Sequence, residues 1–323
     1  MRSVSYAEFG DATEVLELVE RELPQPGKGQ VRIKLLLSPV HNHDLMTIKG
    51  VYGIKPELPS VPGTEAVGVV DALGEGVDNL KVGQRVMGGA SAAWAEYYLG
   101  ETARLIPVPD SVDDATACQL ISMPLSAKML LADLDVRSGD WIIQNAANGA
   151  VGKLLNQFAE EAGVHVVNLV RRDGGVAELA ALGIGNVVST SGDDWREQVK
   201  AITGGAPIVR GLDSVGGDGP EALLSVMAER SEVISFGNLS GKKIELSSDT
   251  ILFKQATVRG FWMARSDAGA EAIGRAIGEL VTAAASGKLK LTVDGVFGLD
   301  QVREAAKASG EPGRTGKVAI RGA

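Results

Sequence analysis

The chain has one cysteine, Cys118, in 323 residues. A lone thiol excludes an intrachain disulfide and a four-cysteine structural zinc site. A reducing, cytoplasmic setting is the simplest expectation. Histidine is limited to 3 residues and aromatic residues to 4% of the chain, so an aromatic ring near a candidate site is a selective signal. Basic runs are missing too. The 32 Lys and Arg are outnumbered by 41 Asp and Glu, for a net charge of −9. That balance argues against nonspecific binding to nucleic acid or to an anionic membrane surface. No apolar stretch reaches the ~18 residues of a membrane span. The first residues turn acidic without an apolar core segment, so no secretory signal is expected. Glycine, by contrast, is abundant: 41 residues, about twice the ~7% average. Tight turns and close backbone approaches are implied. The length corresponds to about two domains at ~150 residues each.

The first 120 residues read as strands and turns. VRIKLLL (31–37) and AVGVVDAL (66–73) are β-rich, with Pro39, Gly50, Gly53, Pro56, Pro59, Pro62 and Gly63 between them. GEGVDNLKVGQRV (74–86) is a turn feeding another strand. This is the pattern of a compact β-barrel-like domain. Near residue 120 a helical stretch with a proline break, ATACQLISMPLSAKMLLADLDV, intervenes. Strands at 140–146, 165–170, 186–190, 208–217 and 232–238 then alternate with helices at 151–163, 174–183, 194–205 and 221–229. That alternation means βαβ units and a parallel sheet. A helix over 268–288 and a strand over 316–320 close the chain.

The sharpest local signal is WIIQNAANGAVGKLLNQFAEEAG. A strand enters a small-residue turn from Asn145 to Gly152 and leaves as a helix. Small residues let the backbone approach a pyrophosphate, and the helix start offers free N–H groups and a positive dipole end. Asn148, Gly149, Ala150 and Val151 are the candidate cradle. The match is not a strict G-x-G-x-x-G, and an ordinary tight βα turn is the competing reading. An NAD site usually places an acid about 20 residues on, at the next strand end. Here that position holds Arg171 and Arg172, ahead of Asp173. Guanidinium groups bind a ribose 2′-phosphate that an acid would repel. The expected cofactor is therefore NADP(H), unless both arginines are simply solvated. The strand end at Asp213–Gly217, with Val215 and Gly216, and the turn at Gly237 and Asn238 lie at carboxyl ends of expected parallel strands, where α/β ligands bind.

Several motifs spread along the chain resemble the medium-chain dehydrogenase/reductase superfamily. PGTEAVGVV (62–70) is similar to its PG-H-E-x-x-G-x-V segment, WAEY (94–97) to its G-x-(F/W)-A-E-Y strand, and RTGK (314–317) to its R-T-G-K-V end. Within it, GVYGIKPELPSVPG (50–63), QNAANGAVG (144–152) and VRGFWMAR (258–265) resemble the zinc-independent quinone oxidoreductase and 2-enoyl thioester reductase branch. The resemblance implies an α/β protein: a GroES-like β-barrel catalytic domain from 1–121 and 266–323, and a Rossmann doubly wound parallel sheet from 122–265. It also implies a cofactor in the interdomain cleft and a homodimer. The zinc branch carries a histidine where this chain has Thr64, and a cysteine near His41-Asn42-His43-Asp44. Without those ligands no metal is expected. His41 and His43 would share one face of an extended segment and with Glu65 could hold a metal. Histidines hydrogen-bonded within the fold are the simpler reading.

Without a metal, a hydroxyl or amide must serve the oxyanion and supply the proton in reducing an α,β-unsaturated carbonyl. The resemblance marks Tyr52 as proton donor, with Asn42 and Asp44 beside it; a loop tyrosine packed on the barrel is the alternative. It places Ser126, or a mere helix-start residue, near the nicotinamide. Phe261, Trp262 and Met263 match a segment beside the nicotinamide or form a core strand. Lys317 reaches the cofactor or lies at the surface. The expected substrate is an enoyl thioester or enone, with a quinone as alternative. A third reading is an NADPH-binding protein with little turnover. Cys118 is assigned no role.

Overall fold

Alternating apolar residues build the first part of the chain. A computed structural model describes residues 1–322. β1 (Arg2–Ser5) and β2 (Glu17–Glu20) pair antiparallel around the short α1 (Ala12–Val15). β3 (Gln30–Pro39) buries Val31, Ile33 and Leu35, one residue in two, as a half-buried strand must. Each such side chain contributes about 1.5–3 kcal/mol by leaving water. α2 (Asn42–Ile48) follows directly, then β4 (Glu65–Leu73), β5 (Arg85–Gly89), β6 (Tyr97–Glu101), β7 (Leu105–Pro107) and α3 (Asp114–Ala117).

The chain continues through α4 (Ser122–Asp133), β8 (Trp141–Gln144), α5 (Ala150–Glu161), β9 (His165–Val170), α6 (Asp173–Ala180) and β10 (Val187–Ser189). Next come α7 (Trp195–Thr203), β11 (Ile208–Asp213), α8 (Gly219–Val226), β12 (Glu232–Ser235), α9 (Ser248–Lys254) and β13 (Thr257–Gly260). The end is α10 (Ala270–Ala285), β14 (Val293–Gly298), α11 (Val302–Gly310) and β15 (Lys317–Arg321).

These elements form two compact units, one of residues 1–122 and 277–323, the other of residues 123–276. In the first unit the sheet order is β14-β15-β3-β4-β5-β7, with β6 also paired to β3. Its barrel-like core is Val31, Ile33, Leu35, Ala66, Val70, Val86 and Tyr98. A second cluster around Tyr6, Leu16, Ile48, Trp94 and Ile320 lies where α2 begins and ends. The other unit holds a wholly parallel sheet of order β10-β9-β8-β11-β12-β13. Counted from β8, that order is 3-2-1-4-5-6, so the connections diverge between β8 and β11, the switch point at which such sheets bind ligands.

Three local expectations change. The segment after β3 is helical rather than extended, because Asp44 caps it: His41 N–H donates to Asp44 Oδ2 at 3.0 Å. Pro124 does not break a helix but sits in the first turn of α4, where its missing N–H has no partner to lose. The return to the first unit falls within α10, after Ala276, rather than after Arg265.

Candidate active site

The carboxyl ends of β8, β11 and β12 are tied together by one buried acid. Asp213, the last residue of β11, accepts from Asn145 Nδ2 at 2.6 Å, from Ser235 Oγ at 2.9 Å and from the N–H groups of Val215 and Gly216 at 3.1 Å. Asn145 Oδ1 in turn accepts from Ser214 N–H at 2.9 Å. Further bonds from Phe236 N–H to the Asp213 carbonyl and from Leu239 N–H to the Ser214 carbonyl stitch the loops after β11 and β12. Val215, Gly216, Gly237 and Asn238 are thereby set along one edge. The sequence places Asn145 and Asp213 at the edges of the expected turn and strand end, and the structure adds that they pair with each other. The available signal is a carboxylate at the carboxyl end of a strand of the parallel sheet.

The turn after β8 makes the cradle. Ala146 adopts a left-handed φ of 46°, and Gly149 caps α5. A Cβ on Gly152 would lie 2.7 Å from the Ala147 carbonyl oxygen, so only glycine lets the helix start this close to the turn. Asn148, Ala150 and Val151 are half-buried at this helix start, where the first-turn N–H groups lack intrahelical partners. Arg171 and Arg172 directly follow β9 and are exposed. Arg172 lies 3.4 Å from Glu178, whereas Arg171 has no ion-pair partner among the described residues. Asp173, the nearest acid, accepts from Ser191 Oγ at 2.5 Å.

Phe261 and Trp262 leave the end of β13, and Met263 opens a 3-10 turn; all are half-buried, so they are not a core strand. Ser126 is half-buried in the second turn of α4 rather than at its start. Lys317 opens β15 in the other unit, and its charge acts on His41. Cys118 is buried, and burial pushes its thiol well above its ordinary value.

Tyr52 is placed by the end of α2. Gly50 takes φ +76°, and a Cβ there would stand 2.9 Å from Phe9. The chain turns back, and the N–H groups of Val51 and Tyr52 donate to the Met46 carbonyl at 3.0 and 3.2 Å. The Tyr52 ring then stacks on His43, with centroids 5.8 Å apart, and His43 stacks on His41 at 4.8 Å. His43 Nε2 lies 2.6 Å from Thr64 Oγ1, which donates to Asp44 Oδ1 at 2.7 Å. Asn42 stays outside this network, exposed, with its amide on Met46 Sδ at 3.4 Å.

His41 and Glu65 are fully buried, 2.7 Å apart. Glu65 Oε1 also accepts from Ile121 and Ser122 N–H at 2.6 and 3.1 Å. Burial pushes Glu65 up to about 7. Burial, then the charge of Lys317, pushes His41 well below its ordinary value. The folded pair thus holds one proton, on the acid. The unfolded pair also holds one between pH 4.5 and 6.5, on the histidine. The two titrations cancel, and this pair leaves stability flat across that window. Glu65→Gln removes one of them. His41 alone then makes stability rise with pH there, by up to about 1.4 kcal/mol per pH unit. Urea melts of both proteins across the window check this; identical profiles contradict it.

Two family models match the chain: the alcohol dehydrogenase GroES-like domain over residues 27–110 and the zinc-binding dehydrogenase over residues 150–279. A mitochondrial enoyl-[acyl-carrier-protein] reductase of Bos taurus is 32% identical over 82% of this chain and 73% of its own. The chain belongs to the medium-chain dehydrogenase/reductase superfamily, in its zinc-independent branch. Among solved structures, a quinone oxidoreductase of Pseudomonas syringae superposes with a TM-score of 0.89 at 29% identity, covering 99% of both chains. Escherichia coli quinone oxidoreductase complexed with NADPH gives 0.88 at 25% identity, covering 99% of this chain and all of its own. These matches carry the expected fold class, a GroES-like domain with a doubly wound parallel sheet.

The superfamily's zinc does not fit these residues. Of the donors nearest the expected place, His41 Nε2 is committed to Glu65, His43 Nε2 to Thr64 and both Asp44 oxygens to hydrogen bonds, which leaves only the two imidazole Nδ1 atoms. No group of three or more metal-ligating side chains is found among the described residues. NADP(H) does fit: the close turn at Gly152 admits a pyrophosphate, and Arg171 is free to meet a 2′-phosphate. No helix of the described residues is long and apolar enough to cross a membrane.

Proposed function

We propose that this chain is an NADPH-dependent reductase of an activated C=C bond, acting on a 2-enoyl thioester or related enone. At family level it is an NADP-dependent oxidoreductase. The observation that carries the finer reading is the placement of Tyr52, a phenol stacked on a histidine–threonine–aspartate network. The enoyl reductase relatives, at up to 32% identity, support the substrate class.

Residues 123–276 form the nucleotide-binding domain. Asn148–Val151 receive the pyrophosphate at the helix start. Arg171, helped by Arg172, pairs with the 2′-phosphate. Val215, Gly216, Gly237 and Asn238 line the edge fixed by Asp213, and Ser126, Phe261, Trp262, Met263 and Lys317 complete the contacts. The cofactor supplies a hydride to the β-carbon of the substrate. Tyr52 gives its O–H proton to the α-carbon, and its hydroxyl first donates to the carbonyl oxygen where negative charge develops. Asp44 fixes the network behind it. The protein works as a cytoplasmic homodimer in this reading, as the family resemblance implies.

Quinone reduction is the second reading. The solved structures that match 99% of this chain at 25–29% identity are quinone oxidoreductases. Purified protein is given NADPH with crotonyl-CoA and benzoquinone in parallel, and NADH as control. Faster NADPH oxidation with the thioester supports the enoyl reductase. Faster oxidation with the quinone supports the alternative. Tight NADPH binding without turnover on either assigns a binding protein.

A further inference from the structure

We propose that His43 is the proton relay of this site, recharging Tyr52 from solvent through its free Nδ1. This deepens the reading above and rests on Tyr52 as proton donor.

The hydrogen-bond network assigns the tautomer. Thr64 Oγ1 spends its hydrogen on Asp44 Oδ1 at 2.7 Å. It must therefore accept from His43 Nε2, 2.6 Å away, so that nitrogen carries the hydrogen. The remaining lone pair is on Nδ1, which has no partner among the described residues. The His43 side chain is 20% exposed, and the proposal puts Nδ1 on that exposed side. Its ring also faces Tyr52.

Asp44 stands behind Thr64 in this network. Asp44 Oδ2 accepts from His41 N–H and Oδ1 from Thr64, the pattern of an ionised carboxylate. Its side chain is fully buried and lies 3.8 Å from His43 Nε2. The other ionisable groups facing this ring system are Tyr52, His41 and Glu65, with Lys317 acting on His41. None of them bonds to Nδ1.

The balance per turnover is simple. The Tyr52 O–H bond breaks, its proton joins the α-carbon, and a phenolate remains. His43, protonated at Nδ1 by water or buffer acid, returns one proton to the phenolate oxygen through one water. Nδ1 then takes the next proton from solvent. With the hydride from NADPH, the substrate gains two hydrogens and the chain returns to its starting state. His43 acts through Tyr52 and never touches the substrate.

The test uses full-length protein with NADPH and crotonyl-CoA. His43→Gln can keep the donor to Thr64 but cannot shuttle. We expect kcat to fall by about tenfold to a hundredfold, with KM for NADPH unchanged. The pH profile of kcat differs from that of the unsubstituted protein. His43→Ala shows the same loss, and added imidazole restores part of it. A wild-type rate in His43→Gln overturns the relay. So does a loss that imidazole does not rescue and that leaves the pH profile unaltered, which marks packing alone. Tyr52→Phe runs alongside. If it keeps full turnover, the reading of Tyr52 fails; if it loses turnover while His43→Gln does not, only the relay fails.

Discussion

Tyr52→Phe lowers kcat for crotonyl-CoA by about 100- to 10,000-fold, the range for removing a positioned general acid. KM for NADPH stays unchanged. The turn that carries Tyr52 is held by backbone bonds to Met46 and by the left-handed Gly50, and neither needs the hydroxyl. The phenyl ring can keep its stack on His43. A loss of kcat without a change in melting temperature therefore reports the missing O–H. With benzoquinone the effect is small. Charge there develops on an oxygen that water can protonate, whereas the α-carbon of a thioester depends on a placed acid.

Arg171→Ala raises KM for NADPH by about 10- to 100-fold and leaves KM for NADH within about twofold. The figure corresponds to one hydrogen-bonded charge pair of about 1.5–3 kcal/mol. Arg171 is exposed, has no ion-pair partner among the described residues, and follows the last residue of β9. Arg172→Ala has a smaller effect, because its guanidinium is already shared with Glu178. Steady-state kinetics with both nucleotides check this. Equal changes for NADPH and NADH contradict the 2′-phosphate assignment.

Much of the architecture was legible because its signals are local. β3 alternates buried and open positions, and β9 reads HVVNLV with only its first residue exposed. Both follow from the period of a strand and the burial of a parallel sheet. The small-residue turn before α5 and the two arginines after β9 were readable for the same reason. What escaped depends on distant partners. α2 looked extended because its cap, Asp44, lies inside the helix rather than before it. Asp213 became a keystone only when Asn145 and Ser235 converged on it from other strands. His43 gained a defined tautomer through Thr64, twenty-one positions away. Sequence spacing cannot show a hydrogen bond between residues the fold alone brings together. The resemblance to a family supplied Tyr52; the structure supplied the network beneath it.

The central claim is that this chain saturates a carbon–carbon double bond with hydride from NADPH and a proton from Tyr52. The most direct measurement is mass analysis of the product formed from crotonyl-CoA and NADPH in deuterated water. The account predicts butyryl-CoA carrying one deuterium, located at the α-carbon, with hydrogen from NADPH at the β-carbon. It also predicts that Tyr52→Phe forms this product only at the reduced rate. Unchanged crotonyl-CoA, in protein that oxidises NADPH with a quinone, would contradict it.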